Sequence, residues 1–150
     1  MIKVAVIHGP NLGLLGKREP DVYGAITLDE INQRMLLLAK ELGLELRITQ
    51  SDHEGEIVGA IHACLGWAEA IVINPAAFTH YSIAIRDALQ AVRIATVEVH
   101  LTNIYAREEF RNHSVISAVV VGCIAGLGLR SYTCALESLI GILRERANGS

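Results

Sequence analysis

The 150 residues are 51% hydrophobic and 19% charged, which supplies one substantial core and excludes a disordered chain. Thirteen basic against sixteen acidic residues give a net charge of −3, which argues against binding nucleic acid or a membrane surface through bulk positive charge. The length fits a single domain, 1–150, and the mean hydropathy of +0.37 points to apolar surface buried between subunits.

The first apolar run, 3–8 (KVAVIH), reads as a strand whose Val and Ile are nearly continuous, as in central parallel strands covered on both faces. The loop 9–24 after it is long for a strand-to-helix connection, where about 2–6 residues is typical. Glycines near both ends, with Arg18 and Tyr23 inside, give it the composition of a lid. Its GPNLGLLG matches neither of the usual glycine-rich phosphate-loop patterns. Thr27-Leu28-Asp29-Glu30 fits a capping box, Ile31, Met35, Leu38 and Leu42 recur at helical spacing, and Gly43 stands where a C-cap belongs. There follow a strand at 44–49, a helix from Glu54 to Trp67, a strand at 70–73 and a helix from Tyr81 to Val92 with Thr79 as its cap. A strand at 94–99, a short helix from Ala106 to Phe110, a strand at 118–122 and a helix from Tyr132 to Arg146 complete the chain, and the tail 148–150 frays. Strand alternating with helix predicts an α/β fold, a doubly wound five-stranded parallel sheet with helices on both faces. Ligands bind such sheets at the carboxyl ends of the strands, near the reversal in strand order.

Cys64, Cys123 and Cys134 are odd in number and lack a CxxC pair, so each is expected to pack as a small buried apolar residue. The N-terminal run lacks the length and cleavage site of a signal peptide, and no run approaches the roughly 20 apolar residues of a membrane span. A reducing cytoplasm is the expected location.

The strand ends hold the candidate chemistry. Arg18 and Tyr23 follow the first strand, and Asn74, Thr79 and His80 follow the third. Pro75 biases Asn74 to an extended conformation and keeps its amide at the strand tip. Glu98 and His100, two apart in the fourth strand, share a face, and a carboxylate there orients an imidazole and holds its charge. With His80 they would make three metal ligands, but no cysteine or second carboxylate in the pattern completes a metal set. Arg107 and Arg111 lie four apart, on one face if the segment is helical. Such a cluster at one end of a sheet suits proton transfer on a small anionic substrate.

Four blocks carry a resemblance: HGPNLGLLGKREPDVYG, QSDHEGEIVGAIH, INPAAFTHYSIAIRDAL and EVHLTNIYAREEFRNHS. They resemble type II 3-dehydroquinate dehydratase (type II dehydroquinase), from residue 2 to about 140. Departures are small: the family usually has Asn where His8 stands and often Gly where Ser131 stands. The resemblance implies a flavodoxin-like fold and a lyase without cofactor or metal, which dehydrates 3-dehydroquinate to 3-dehydroshikimate by anti elimination through an enolate. The type I enzyme uses a lysine Schiff base, and Lys3, Lys17 and Lys40 are not placed for one.

By the same resemblance Tyr23 removes the proton next to the ketone. A phenol ordinarily ionises near pH 10, so its anion needs a neighbour of opposite charge, the role of Arg18. His100 matches the acid that protonates the departing hydroxyl, with Glu98 keeping it oriented and positive. Asn11 supports the site, and Asn74 binds substrate and helps hold a water near the enolate oxygen, where charge develops. Leu101 and Thr102 match the substrate-carboxylate site, and His80 and Arg111 match residues that bind ring hydroxyls. Asp87 matches a residue that reaches a neighbouring subunit's site, in trimers that associate into a dodecameric homo-oligomer. Arg107 is expected to form salt bridges near the lid. The alternative is a flavodoxin-like binding or signalling module, or an assembly protein with a dead site. His8-Gly9-Pro10-Asn11 offers neither the acidic residues of a receiver domain nor the hydroxyls of a flavin-phosphate loop.

Overall fold

The computed structural model describes residues 1–149; Ser150, the end of the tail expected to fray, lies outside the described residues. Five strands, β1 (Ile2–His8), β2 (Leu44–Gln50), β3 (Ala70–Asn74), β4 (Ala95–His100) and β5 (Gly122–Ala125), form one sheet in the order β2-β1-β3-β4-β5. Every pairing is parallel. The helices are α1 (Pro20–Tyr23), α2 (Leu28–Leu42), α3 (Glu54–His62), α4 (Ile83–Val92) and α5 (Leu129–Ala147).

The period of two along the strands divides the core. Val4, Val6, Val72, Val97 and Val99 face one way and pack with Ile31 and Met35 of α2 and Tyr132, Leu136 and Leu139 of α5. Ala5, Ile7, Ile71 and Ile73 face the other way and pack with Ile57 and Ile61 of α3 and Ile85 and Leu89 of α4. Both faces are covered, which is why the central strands are apolar throughout. The fold is thus the α/β, flavodoxin-like, five-stranded doubly wound sheet expected from the sequence, with its order reversing between β1 and β3.

The α2 capping box forms as the sequence predicts: the Glu30 amide donates to Thr27 Oγ1 at 3.1 Å and the Thr27 amide to Glu30 Oε2 at 3.3 Å. Gly43 closes the helix at φ 73°. Elsewhere boundaries move for local reasons. Helix α3 stops at His62 rather than Trp67, and α4 starts at Ile83, capped by the Ser82 hydroxyl at 3.1 Å from the Ile85 amide. Thr79 is not the cap; it lies in a 3₁₀ turn, Ala76–His80, with its hydroxyl turned to β4. The helix expected at 106–110 is replaced by two 3₁₀ turns, Ile104–Ala106 and Glu109–Asn112, with Arg107 extended between them. The last strand lies at 122–125 instead of 118–122, because Ser117–Val119 forms a 3₁₀ turn that brings Ser117 against Glu98. Helix α5 begins three residues before Tyr132. Among the described residues no helix is long and apolar enough to cross a membrane. Cys64 is buried as expected, but Cys134 is half-buried and Cys123 is exposed on the edge strand.

One glycine sets the geometry of the strand ends. The Gly9 amide donates to the Asn74 carbonyl at 2.7 Å, and a Cβ on Gly9 would stand 2.6 Å from the Pro75 carbonyl oxygen. Only glycine allows the β1 and β3 loops to approach this closely.

Candidate active site

A cavity of about 150 Å³ opens at the carboxyl ends of β1, β3 and β4, beside the reversal in strand order. Arg18, Arg107, Arg111, His80 and His100 line it, and no carboxylate does. In a chain of net charge −3 this is a local concentration of positive charge, suited to an anion.

The 9–24 loop reaches over the cavity in two short helical turns, Leu12–Leu14 and α1. Leu12 and Leu15 are buried and pin its first half to the core. Asn11 sits in the left-handed region at φ 67°, held by its amide donating to Asp52 Oδ1 at 2.9 Å. This bond, with one from Gln50, lowers the Asp52 pKa below the usual carboxylate value. In the second half of the loop Arg18 Nη2 donates to Tyr23 Oη at 3.1 Å, and the Arg18 guanidinium carbon lies 4.5 Å from the centroid of that ring. The Arg107 guanidinium carbon lies 5.2 Å from the same centroid. Two cations therefore border one phenol. Arg107 forms no salt bridge among the described residues, contrary to expectation; its polar contact is to Thr102 Oγ1 at 3.5 Å.

At the end of β4, His100 Nε2 lies 2.6 Å from Glu98 Oε2, and Glu98 is wholly buried. Ser117 donates to its other oxygen at 2.6 Å, Thr79 to Oε2 at 2.5 Å, and Ser114 lies 3.1 Å from both oxygens. Burial pushes the Glu98 pKa up, but the bonds from His100, Ser117 and Thr79 outweigh it, and the pKa falls below the ordinary value. An ionised carboxylate only accepts, so His100 Nε2 carries a proton.

Asn74 is the visible end of a buried row. Its Oδ1 accepts from the Ala76 amide at 3.0 Å, so its Nδ2 must face Tyr132 Oη, 2.9 Å away. The Tyr132 hydroxyl then donates to His8 Nδ1 at 2.9 Å, and His8 Nε2 donates to Asn32 Oδ1 at 2.8 Å. The backbone N–H of Ala76 fixes the Asn74 end of the row and the Asn32 carbonyl fixes the other, which leaves the single phenol proton for His8 Nδ1. Burial lowers the His8 pKa to about 4 and keeps it neutral, and burial raises that of Tyr132, keeping it protonated.

His80 Nδ1 donates to the His113 carbonyl at 2.8 Å, which leaves Nε2 free toward the cavity. Arg111 Nε donates to Glu108 at 3.1 Å. Among the residues expected at the site, Asn11, Arg18, Tyr23, Asn74, His80, His100, Leu101, Thr102 and Arg111 line the cavity. Glu98 stands behind His100, and Asp87 is exposed on α4, away from the cavity of its own chain. Lys3, Lys17 and Lys40 are all exposed. The three-ligand set of Glu98, His100 and His80 does not form; Cys123 takes the third place, with its ligand atom within 4.8 Å of those of Glu98 and His100. Sequence reasoning missed Ser114, Ser117, Tyr132 and Asn32, whose roles depend on tertiary packing, and took Thr79 for a helix cap.

The model of the family described as dehydroquinase class II matches residues 2–140. The 3-dehydroquinate dehydratase of Pelotomaculum thermopropionicum is 56% identical over 137 residues, covering 91% of this chain and 95% of that one. That of Acaryochloris marina is 54% identical over 143 residues, covering 95% and 96%. Among solved structures, the type II dehydroquinase from Propionibacterium acnes superposes with a TM-score of 0.89 at 49% identity, over 93% of this chain and 96% of that one. The one from Butyrivibrio crossotus gives 0.90 at 43%, over 92% and 97%.

Proposed function

The chain belongs to the class II dehydroquinase family and dehydrates 3-dehydroquinate, and we propose that it does so with Tyr23 as base and His100 as acid. The observation that carries this reading is the meeting of two pairs at one cavity: Tyr23 with Arg18 at 3.1 Å, and His100 with Glu98 at 2.6 Å. The Tyr23 phenolate takes the proton next to the ketone, and the electron pair left behind forms an enolate. The Arg18 guanidinium stabilises the phenolate by proximity of opposite charge. The enolate then expels the hydroxyl on the neighbouring carbon, from the opposite face of the ring, as the new C=C bond forms, and the His100 proton joins it to leave as water. The products are 3-dehydroshikimate and water, and no electrons are exchanged with a redox partner.

Glu98 orients His100 and balances its positive charge. Asn74, held by Tyr132 and the Ala76 amide, presents its remaining N–H to substrate or to a water near the enolate oxygen, where charge grows. Asn11 supports the lid side of the cavity. Leu101 and Thr102 receive the substrate carboxylate, aided by the surrounding arginines, and His80 and Arg111 bind ring hydroxyls. Neither a cofactor nor a metal has a part in these steps.

Assembly completes this reading. Trimers joined into a dodecamer would let Asp87, exposed on α4, reach the cavity of a neighbouring subunit. Exposed Tyr81, Ile83, Phe110 and Val121 supply apolar surface for such contacts. The cytoplasm is the proposed location. Mixing the protein with 3-dehydroquinate should raise the ultraviolet absorbance of the enone product, and a mass measurement in solution should return a multiple of three chains. No absorbance rise from folded, assembled protein would reject the activity.

A further inference from the structure

We infer that Cys123, Glu98 and His100 form a binding site for a thiophilic divalent cation such as Zn²⁺, and that filling it stops turnover. Cys123 of β5 pairs in register with Glu98 of β4, which puts the two side chains on one face of neighbouring strands. Each of the three residues offers a ligand atom within 4.8 Å of the other two. They are the only such trio of Cys, His, Asp or Glu among the described residues. A tetrahedral Zn²⁺ site has Zn–N and Zn–O bonds of roughly 2.0–2.2 Å and a Zn–S bond of roughly 2.3 Å. Its ligand atoms therefore lie roughly 3.3–3.7 Å apart, by the same geometry. Adjustment of about an ångström brings these three atoms to that spacing.

The surroundings favour a metal in two ways. Ser117, Ser114 and Thr79 already orient the Glu98 carboxylate through hydrogen bonds, as second partners do at metal centres. A second hollow of about 500 Å³, apart from the cavity that His100 lines, is walled by Asn103, Ser114, Ser117 and Cys123, so the cysteine is reached from a side of its own. Binding forms bonds from the ion to Sγ, to Nε2 and to a Glu98 oxygen, with water as fourth ligand. The thiol proton goes to solvent and the Nε2 proton moves to Nδ1 or solvent, without electron transfer. Thiolate and imidazole select Zn²⁺, Cd²⁺ or Co²⁺ over Mg²⁺ and Ca²⁺.

Metal capture follows from the three ligands alone. Inhibition rests on the proposed role of His100 as acid: Nε2 already faces Glu98, so the departing hydroxyl takes its proton from Nδ1, and with a metal in place of the Nε2 proton the ring is no longer an imidazolium and its Nδ1–H is a far weaker acid. Titrating chelator-treated protein with Co²⁺ should produce a thiolate-to-cobalt absorption band, which Cys123→Ser should abolish. Zn²⁺ should inhibit the parent reversibly, with EDTA restoring turnover. The Cys123→Ser variant should turn over normally and need at least about ten-fold more Zn²⁺. Absence of the cobalt band, or its persistence in the variant, overturns the site. Equal Zn²⁺ sensitivity in parent and variant overturns the inhibitory coupling. A cobalt band with turnover untouched by Zn²⁺ keeps the site but refutes His100 as acid, and protein inactive on 3-dehydroquinate still reports the band.

Discussion

Replacing Glu98 with Gln changes charge at almost constant shape, and the surroundings allow it. Ser117 can rotate its hydroxyl to accept from the new amide, while the carbonyl at the other position still accepts from His100, Thr79 and Ser114. What disappears is the ionic part of a buried bond of 2.6 Å between His100 and Glu98. Hydrogen bonds to charged groups contribute about 1.5–3 kcal/mol and neutral ones about 0.5–1.5, so the ionic part is about 1–1.5 kcal/mol. Each 1.36 kcal/mol is a factor of ten in rate, so kcat should fall by about 5- to 13-fold. Folding should be little affected, because a buried neutral amide avoids the cost of desolvating a carboxylate. Turnover of 3-dehydroquinate followed by enone absorbance, with a thermal melt beside it, makes the test. A variant that melts like the parent and keeps kcat within about twofold would refute the idea that carboxylate charge supports His100.

Tyr23→Phe removes one oxygen and little packing; kcat should drop by at least about 100-fold with KM nearly unchanged, and near-normal turnover would exclude Tyr23 as base. Tyr132→Phe strands His8 Nδ1 and the Asn74 amide in the interior, at about 1–3 kcal/mol each. At about 2–4 °C per kcal/mol for a chain of this size, the melting point should fall by roughly 5–20 °C, and a shift under about 2 °C would contradict the buried row. His8 has a pKa of about 4 when folded, against about 6.5 in an unfolded chain. Between those values the unfolded chain binds the proton and the folded chain does not, so stability drops as pH falls through this window, by up to about 3 kcal/mol. Urea unfolding at neutral and mildly acidic pH should show that loss in the parent and a smaller one in His8→Asn; equal losses would rule out His8 as the source.

The architecture was legible because its signals are local. Apolar runs of Val and Ile marked both-sided burial, and Thr27, Glu30 and Gly43 marked the ends of α2. Arg18 and Tyr23 stand five positions apart on one loop and were paired through the family resemblance, whereas Glu98 and His100 were readable from strand alternation, which puts them on one face. The rest depended on distant chain. Ser114 and Ser117 reach Glu98 only because 117–119 leaves the sheet edge as a 3₁₀ turn, which the valines of 119–121 disguised as strand. Thr79 has the sequence of a cap, but the packing of β4 gives its hydroxyl a carboxylate partner. Arg107 was expected to find an acid, and a ring from the lid took that place.

The directed row from Asn74 to Asn32 joins the cavity to α2, a helix with no residue in the cavity wall. A donor at one end obliges an acceptor at the other, so positions 8 and 32 are free to vary only as a matched set. Turning the Asn32 amide around would confront His8 Nε2–H with another donor, and that conflict would travel through Tyr132 to the Asn74 amide in the cavity wall. Tuning of substrate affinity is thereby open to changes on the outer helical layer, with every cavity-lining side chain left as it is.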